Sequence, residues 1–487
     1  MIRNSADVET YIYHSYMEAK DYLEGPEGYD LPDIQKRSPD LLTPLFLDAL
    51  KDYHPLNIVV TGSKGKGSVS YMLASIFSQL GFTVGLFTSP HILNYRERIR
   101  IGKDPISVDD FCRICEEIRP KIHQVEEKIQ KGREYISPIG ISAYLALTYF
   151  REKNTRINIF ECGKGAATDD VNRIPHEYAV INMIFREHLR ELGPAFSDIA
   201  SNKAAVITKD CKAVYTAVQD PEALRIINEY AAKQGKQIPI LCDIPAEARL
   251  NSKGLYFSVD GETKRYADLF IPMLGEYQAQ NASLAIRCAE GICSREPGFP
   301  SLTEETIRTS FRDLSIPGRC SLYHDQKVDK ICTYLLDACI NAYSAEEVIT
   351  TLKALEAEDR HADISFVICI PEDKDDRGVI AAISQYLLQH PDNNERSRIQ
   401  EKRPLIYLTD TANPHYRFSE SQLQRAIQSG AIPDELKDRA LYQKGSLNAV
   451  MSASKGSSIV CILGTTSLIS EVYPYLRALS ENQSIKV

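Results

Sequence analysis

The stretch from Asn57 to Thr88 constrains the fold of this chain more than any other. A β-branched apolar run, Asn57-Ile-Val-Val-Thr61, ends in glycine. A turn rich in glycine and lysine follows, Gly62-Ser-Lys-Gly-Lys-Gly-Ser68, and it opens a helical pattern from Lys66 to Leu80 that Gly81 closes. A second short apolar run, Val84-Gly-Leu-Phe-Thr88, comes next. Strand, turn, helix and strand in that order form a βαβ unit, which requires a parallel sheet. Parallel strands are covered on both faces, so they read as unbroken apolar runs. The same pattern recurs as a helix over 138–150 and strands over 157–160 and 179–183. It restarts after Leu314-Ser-Ile-Pro-Gly-Arg319, with strands over 334–336, 364–370, 405–408 and 458–463 and a helix over 344–355. Two α/β domains are therefore expected, 1–315 and 316–487. The first fifty residues predict helices over 8–23 and 40–53, punctuated by Gly25-Pro-Glu-Gly28; His390 to Arg403 reads as a polar surface loop.

Composition narrows the function classes. A quarter of the 487 residues are charged and 43% are hydrophobic, which suits packed globular domains and excludes a fibrous or disordered chain. The net charge of −9, without a basic tail, argues against a general nucleic-acid binder. No apolar run reaches the length of a membrane-spanning helix, and the N-terminus lacks the apolar core of a secretory signal. The 12 cysteines lack framework spacing and read as reduced thiols of a cytoplasmic protein. Cys112 and Cys115 form a CxxC inside a polar helical stretch, without the second pair that zinc spacing needs, and read as structural.

The strongest chemical signal is the Thr61–Ser68 turn. Between a strand and a helix, its glycines let backbone N–H groups converge on phosphate oxygens, and the helix N-terminus adds positive potential. Gly62, Ser63, Gly65, Lys66, Gly67 and Ser68 are the expected phosphate contacts. Lys66 would reach the β- and γ-phosphates, and Ser68 would bond phosphate or support Mg²⁺. The strict GxxxxGK-Ser/Thr pattern is not met: position 60 is Val, and Gly67 separates Lys66 from Ser68.

This turn, followed by Thr88-Ser-Pro-His-Ile-Leu-Asn-Tyr-Arg-Glu-Arg-Ile99, resembles the folylpolyglutamate synthase and dihydrofolate synthase family of the Mur ligase superfamily, which carries a GTNGKGS-like loop and a TSPHL…RERI segment. The resemblance continues in order along most of the chain. Glu161-Cys-Gly-Lys-Gly-Ala-Ala-Thr-Asp-Asp-Val-Asn172 is similar to EVGLGGRLDATN, and Glu187-His188 stands where the family has Asp-His. Ile199–Ala205, Gly275–Ala282, Pro317-Gly-Arg319, Leu336–Asn341, Asp373-Lys-Asp375 and 464–472 match further motifs. The resemblance implies a P-loop-type parallel-sheet ATPase domain followed by a Rossmann-like α/β ligase domain.

It also implies chemistry. Such ligases use ATP to convert a carboxylate into an acyl phosphate, which an amine then attacks. Both steps build charge on oxygens, so positioning and cationic stabilisation carry the catalysis. Ser89, Glu161 and His188 match the family's metal positions, and Mg²⁺ favours hard oxygen ligands. Lys66, Glu161, His188 and Lys203 are the expected catalytic residues. Lys203 aligns with a lysine carbamylated in many superfamily members. Gln278, Asn281, Arg319 and Asp337 are expected at the nucleotide, with the two domains closing over it. The expected cofactors are thus ATP and Mg²⁺. The expected partners are a small carboxylate acceptor and an amino acid, plausibly glutamate, acting on a monomer or small homo-oligomer with neither nucleic acid nor membrane.

Departures from the family concern the acceptor and amine. The arginine of GGR is Ala167, the histidine of GAHN is Ile340, that of GxHQ is Tyr277, and the GSL serine is Thr465. Loss of a titratable ring and a fixed cation should alter which acid and amine fit. Three readings are therefore open at this point: glutamate addition to a folate-type acceptor, ligation of another small carboxylate in a specialised pathway, and an inactive nucleotide-binding relative.

Overall fold

The computed structural model describes residues 2–23, 39–129, 134–245, 247–325, 332–357, 362–372, 374–390, 403–413 and 421–481. The Gly25–Gly28 punctuation, Asp373 and nearly all of the expected 390–403 loop lie outside them. The chain divides into two compact units. The first comprises Met1–Glu247, Phe257–Leu269 and Ala279–Arg312; the second comprises Ala248–Tyr256, Phe270–Gln278 and Asp313–Val487.

The first unit is built on eight strands: β1 Leu56–Thr61, β2 Val84–Phe87, β3 Ile99–Ile101, β4 Asp104–Pro105, β5 Ile157–Glu161, β6 Tyr178–Ile181, β7 Ala213–Ala217 and β8 Ile240–Cys242. They lie in the order β4-β3-β2-β5-β1-β6-β7-β8. The six strands from β2 to β8 run parallel, while β3 and β4 fold back antiparallel at one edge. Every residue of β1, β2, β5 and β6 is buried, as their apolar runs require. The helix Pro138–Glu152 starts on Pro138, is capped by Ser137 Oγ accepting from Gly140 N (3.0 Å), and is buried from Gly140 through Phe150. An element apolar all round can only sit inside a core. Each fully buried Leu or Phe there contributes roughly 1.5–3 kcal/mol.

The register is what matters for function. Val60 pairs with Glu161, Thr61 with Ile181 and Phe87 with Phe160. The carboxyl ends of β1, β2, β5 and β6 therefore lie side by side, and the segments leaving them emerge at one edge. Open parallel sheets bind ligands at that edge.

The second unit carries β12 Ser321–Asp325, β13 Cys332–Asp337, β14 Ile364–Cys369, β15 Ile406–Leu408, β16 Ala440–Tyr442 and β17 Ile459–Gly464, ordered β12-β13-β17-β14-β15-β16. Only β12 is antiparallel to its neighbour. A three-stranded sheet, β11-β10-β9, comes from β9 Arg249–Asn251, β10 Gly254–Asp260 and β11 Arg265–Ile271.

One sequence expectation needs correction. The helix anticipated over 40–53 is a 3₁₀ turn, Pro39–Leu42, followed by a helix over Thr43–Leu50. Pro44 sets the start of that helix: its fixed φ suits the first turn, and it has no N–H to donate. The CxxC cysteines lie on the helix Val108–Glu126, with Cys115 buried and Cys112 half-buried, and all 12 cysteines are free thiols. Among the described residues no helix is long and apolar enough to cross a membrane.

Candidate active site

The turn after β1 has the shape its glycines allow. Gly65 is the N-cap of the helix Lys66–Gln79 and has φ +73°, a left-handed conformation. A Cβ there would lie 2.4 Å from both Asn182 Nδ2 and Asn281 Oδ1, so only glycine fits. Those two side chains are joined to each other, Asn182 Nδ2 donating to Asn281 Oδ1 at 2.8 Å. Ser63 is pinned to the segment after β6: its N donates to Met183 O (2.9 Å), its Oγ donates to Phe185 O and accepts from Phe185 N (both 3.1 Å). No side chain caps the helix, so its first N–H groups are left for an outside acceptor.

Two ammonium groups converge beneath this turn. Lys66 Nζ donates to Gly62 O (3.0 Å) and Ser63 O (3.3 Å). Lys203, on the helix Phe196–Ala204, is fully buried, and its Nζ donates at 2.8 Å to Gly62 O, Lys164 O and Glu187 Oε1. Burial, and next the Lys66 charge, push the Lys203 ammonium down to about 8.

Glu161 closes β5 and is 4% exposed. Its Oε2 accepts from Ser89 N (3.0 Å), and a Cβ on Gly67 would lie 3.5 Å from the same oxygen. The carboxylate thus faces the first turn of the helix Lys66–Gln79. Beside it the hydroxyls of Thr61 and Ser68 are buried and have no hydrogen-bond partner among the described residues. A buried hydroxyl left unpaired costs about 1–3 kcal/mol, a cost that a ligand oxygen or cation can relieve. Among the described residues no three His, Cys, Asp or Glu side chains gather to hold a metal. One carboxylate, hydroxyls, retained waters and substrate phosphates are what Mg²⁺ uses, so the donor set fits that ion.

His188 departs from this picture. It has φ +48°, and its ring stands 3.9 Å from Glu187 and 3.8 Å from Glu191. Burial, against the pull of these carboxylates, keeps its imidazole below the ordinary value. The structure therefore brings Ser89 to Glu161, while the described contacts of His188 are with the two glutamates.

The remaining expected residues lie as follows. Asn281 is buried over Gly65, and Gln278, one turn earlier on the helix Tyr277–Arg295, is fully buried. In the second unit, Arg319 Nη1 donates to Gly318 O (3.1 Å), and Asp337, at the end of β13, accepts from Cys320 N (2.9 Å). Sequence reading gave no site role to three residues. Asn182 completes the wall over Gly65. Glu187 pairs with Lys203. Asn202 Oδ1 holds the Gly165–Ala167 turn by accepting from Ala166 N (2.9 Å) and Ala167 N (3.2 Å). Asn182 carried a readable signal: it is the first polar residue after a buried strand, at the ligand-facing edge.

Residues 60–289 match the Mur ligase middle domain. The chain is 29% identical to the dihydrofolate synthase/folylpolyglutamate synthase of Bacillus subtilis over 74% of its own length and 81% of the relative's. It is 28% identical to the folylpolyglutamate synthase of Lacticaseibacillus casei, over 69% and 76%. In fold it is similar to the folylpolyglutamate synthase of Thermotoga maritima, with a TM-score of 0.74, 22% identity, and 97% and 96% of the chains covered. The Mycobacterium tuberculosis folylpolyglutamate synthase complexed with ADP and AMPPCP gives the same TM-score at 20% identity, over 96% and 99%. Motif order, parallel-sheet architecture and these likenesses converge: the chain is similar to folylpolyglutamate synthases, and its residues 60–289 match the Mur ligase middle domain.

Proposed function

We propose that this chain is an ATP-dependent ligase that joins glutamate to a folate-type carboxylate through an acyl phosphate. The observation that carries the reading is the uncapped helix behind Gly65, with Lys66 and the unpartnered Ser68 hydroxyl beside the Glu161 carboxylate. In the first step an acceptor carboxylate oxygen attacks the γ-phosphorus of ATP and ADP leaves. In the second the amine attacks the acyl carbon, inorganic phosphate leaves and the nitrogen loses a proton.

Gly62, Ser63, Gly65, Gly67 and Ser68 serve the phosphates through backbone N–H groups and the Ser68 hydroxyl. Lys66 leaves its carbonyls to meet the charge growing on the transferred group, an effect worth about 10²–10³-fold when one such donor is lost. Glu161 and the Ser89 hydroxyl would hold Mg²⁺, which would neutralise phosphate charge; for His188 a metal role rests on the resemblance alone. Asn281 and Gln278 are assigned to the nucleotide. For Arg319 and Asp337 the same role rests on the resemblance. Twelve free thiols support a reducing compartment, the cytoplasm. Sequence relatives named as folate-pathway synthases favour this reading over a non-folate acid or an inactive relative. Phosphate release by purified protein with ATP, Mg²⁺, glutamate and a panel of acids tests it. Release that requires a folate-type acid and glutamate together is expected; ATP binding without turnover for any pair would refute it.

A further inference from the structure

We infer that Asn182 is a positioning residue: it holds the Asn281 amide in one orientation, oxygen over Gly65 and nitrogen turned to the nucleotide, so that the site offers a donor to an acceptor atom of ATP. The inference rests on the nucleotide site proposed above and says how that site is kept in shape.

A side-chain amide has an oxygen that accepts and a nitrogen that donates, and its neighbours decide which way round it sits. Asn182 is buried, and Met183 N, which can only donate, stands 2.8 Å from its Oδ1. The Asn182 nitrogen is therefore on the other arm, 2.8 Å from Asn281, where only an oxygen can receive it. That places Oδ1 of the buried Asn281 against Asn182, and its Nδ2 on the arm facing away. A flipped Asn281 would set nitrogen against nitrogen inside the protein and leave a donor unpaired. The backbone of Asn182 is fixed as well. Its N donates to Thr61 O at 2.8 Å, and its O accepts from Gln219 Nε2 at 3.0 Å. Gln219 is oriented by the same rule, since Ile184 N donates to its Oε1 at 2.9 Å. Gly65 leaves no room for a side chain under the pair, because a Cβ there would lie 2.4 Å from both amides. The backbone N–H groups of Met183 and Ile184 thus set which face of Asn281 the nucleotide meets. That face donates, and the phosphates, base and sugar of ATP supply acceptors.

The test is a double-mutant cycle on the full-length protein, with the Kd for ATP read by titration calorimetry beside a thermal melt. Asn182→Leu keeps the shape of the side chain and removes both of its hydrogen bonds. It should raise the Kd for ATP about tenfold, as expected when a buried hydrogen bond is lost. Asn281→Leu should raise it at least as far. In the Asn281→Leu background, Asn182→Leu should cost nothing more, because Asn182 acts through Asn281. Additive losses, or an unchanged Kd in Asn182→Leu, would overturn the inference. Asn182→Ala takes the place of Asn182→Leu in the cycle if the leucine variant does not melt cooperatively. Adenosine distinguishes the source of the acceptor: a Kd raised for ATP alone names a phosphate oxygen, one raised equally for adenosine names the nucleoside, and either supports the inference. Wild type that binds ATP but turns over no acid would refute the ligase reading and leave the cycle standing.

Discussion

Each unit has a parallel strand ending in a turn and a helix, and the two turns treat the helix end in opposite ways. After β1, Gly65 caps without a side chain, and the first-turn N–H groups of the helix Lys66–Gln79 are left uncapped. After β13, the chain passes Ala338 to Asn341, whose Oδ1 accepts from Ser344 N (2.9 Å) and from the Ser344 hydroxyl (2.6 Å) before the helix Ala342–Glu356. Asp375 Oδ2 accepts a further free donor, Ala342 N, at 2.9 Å. The first helix end is left open to an anion and the second is sealed by its own side chains. The architecture is shared; one residue at the N-cap decides whether a helix dipole is spent on folding or kept for a ligand.

The difference can be broken from either side. The largest effect is expected from Lys66→Ala, which should lower kcat by about 10²–10³-fold. Its melting temperature should stay close to wild type, because the ammonium is not part of the core. Full activity in this variant would remove the loop from the reaction. Gly65→Ala should weaken ATP binding at least tenfold in titration calorimetry. It forces a left-handed residue, about 1–2 kcal/mol, and drives a methyl into Asn182 and Asn281. Asn341→Ala, the counterpart in the second unit, should instead act on stability. Loss of a cap costs about 1 kcal/mol, or roughly 2–4 °C in a thermal melt. If Gly65→Ala shifts only the melt, or Asn341→Ala leaves the melt unmoved, the contrast between the two turns fails.

The smallest effect concerns acid. His91 accepts from Arg98 Nε at Nδ1 (3.0 Å), and burial, then the Arg98 charge, push its pKa down to about 4. The folded ring stays neutral where an unfolded histidine, near 6.5, takes a proton. The unfolded state therefore binds more protons between about pH 6.5 and 4, and stability falls as pH drops through that window. His91→Gln should lose less stability than wild type between pH 7 and pH 5 in parallel denaturant titrations. Equal losses would show that another group governs the acid limb.

Much of this was legible in the sequence because it is local. The runs at 57–61 and 157–160 became β1 and β5 with one-residue extensions, and the helix expected from Lys66 starts there. The turn between them was readable because glycine, lysine and the flanking periodicities all sit within twelve residues. The strand expected to reach Met183 stops at Ile181, since Asn182 turns its side chain to the loop and to Met183 N. What was not legible depends on pairing across the fold. No periodicity brings Asn281 over Gly65 or joins Glu187 to a buried lysine. The positions expected to hold a metal show the same limit: Ser89 and Glu161 meet because β2 and β5 are neighbours, which strand order decides.

The Gly62 carbonyl, bonded by two ammonium groups, has a consequence for the timing of the reaction cycle. An oxygen shared by Lys66 and Lys203 can release one of them without becoming bare. Under the proposed function, an incoming triphosphate would borrow Lys66 while Lys203 keeps the turn seated, and the departing product would hand the borrowed cation back to a berth already shaped for it.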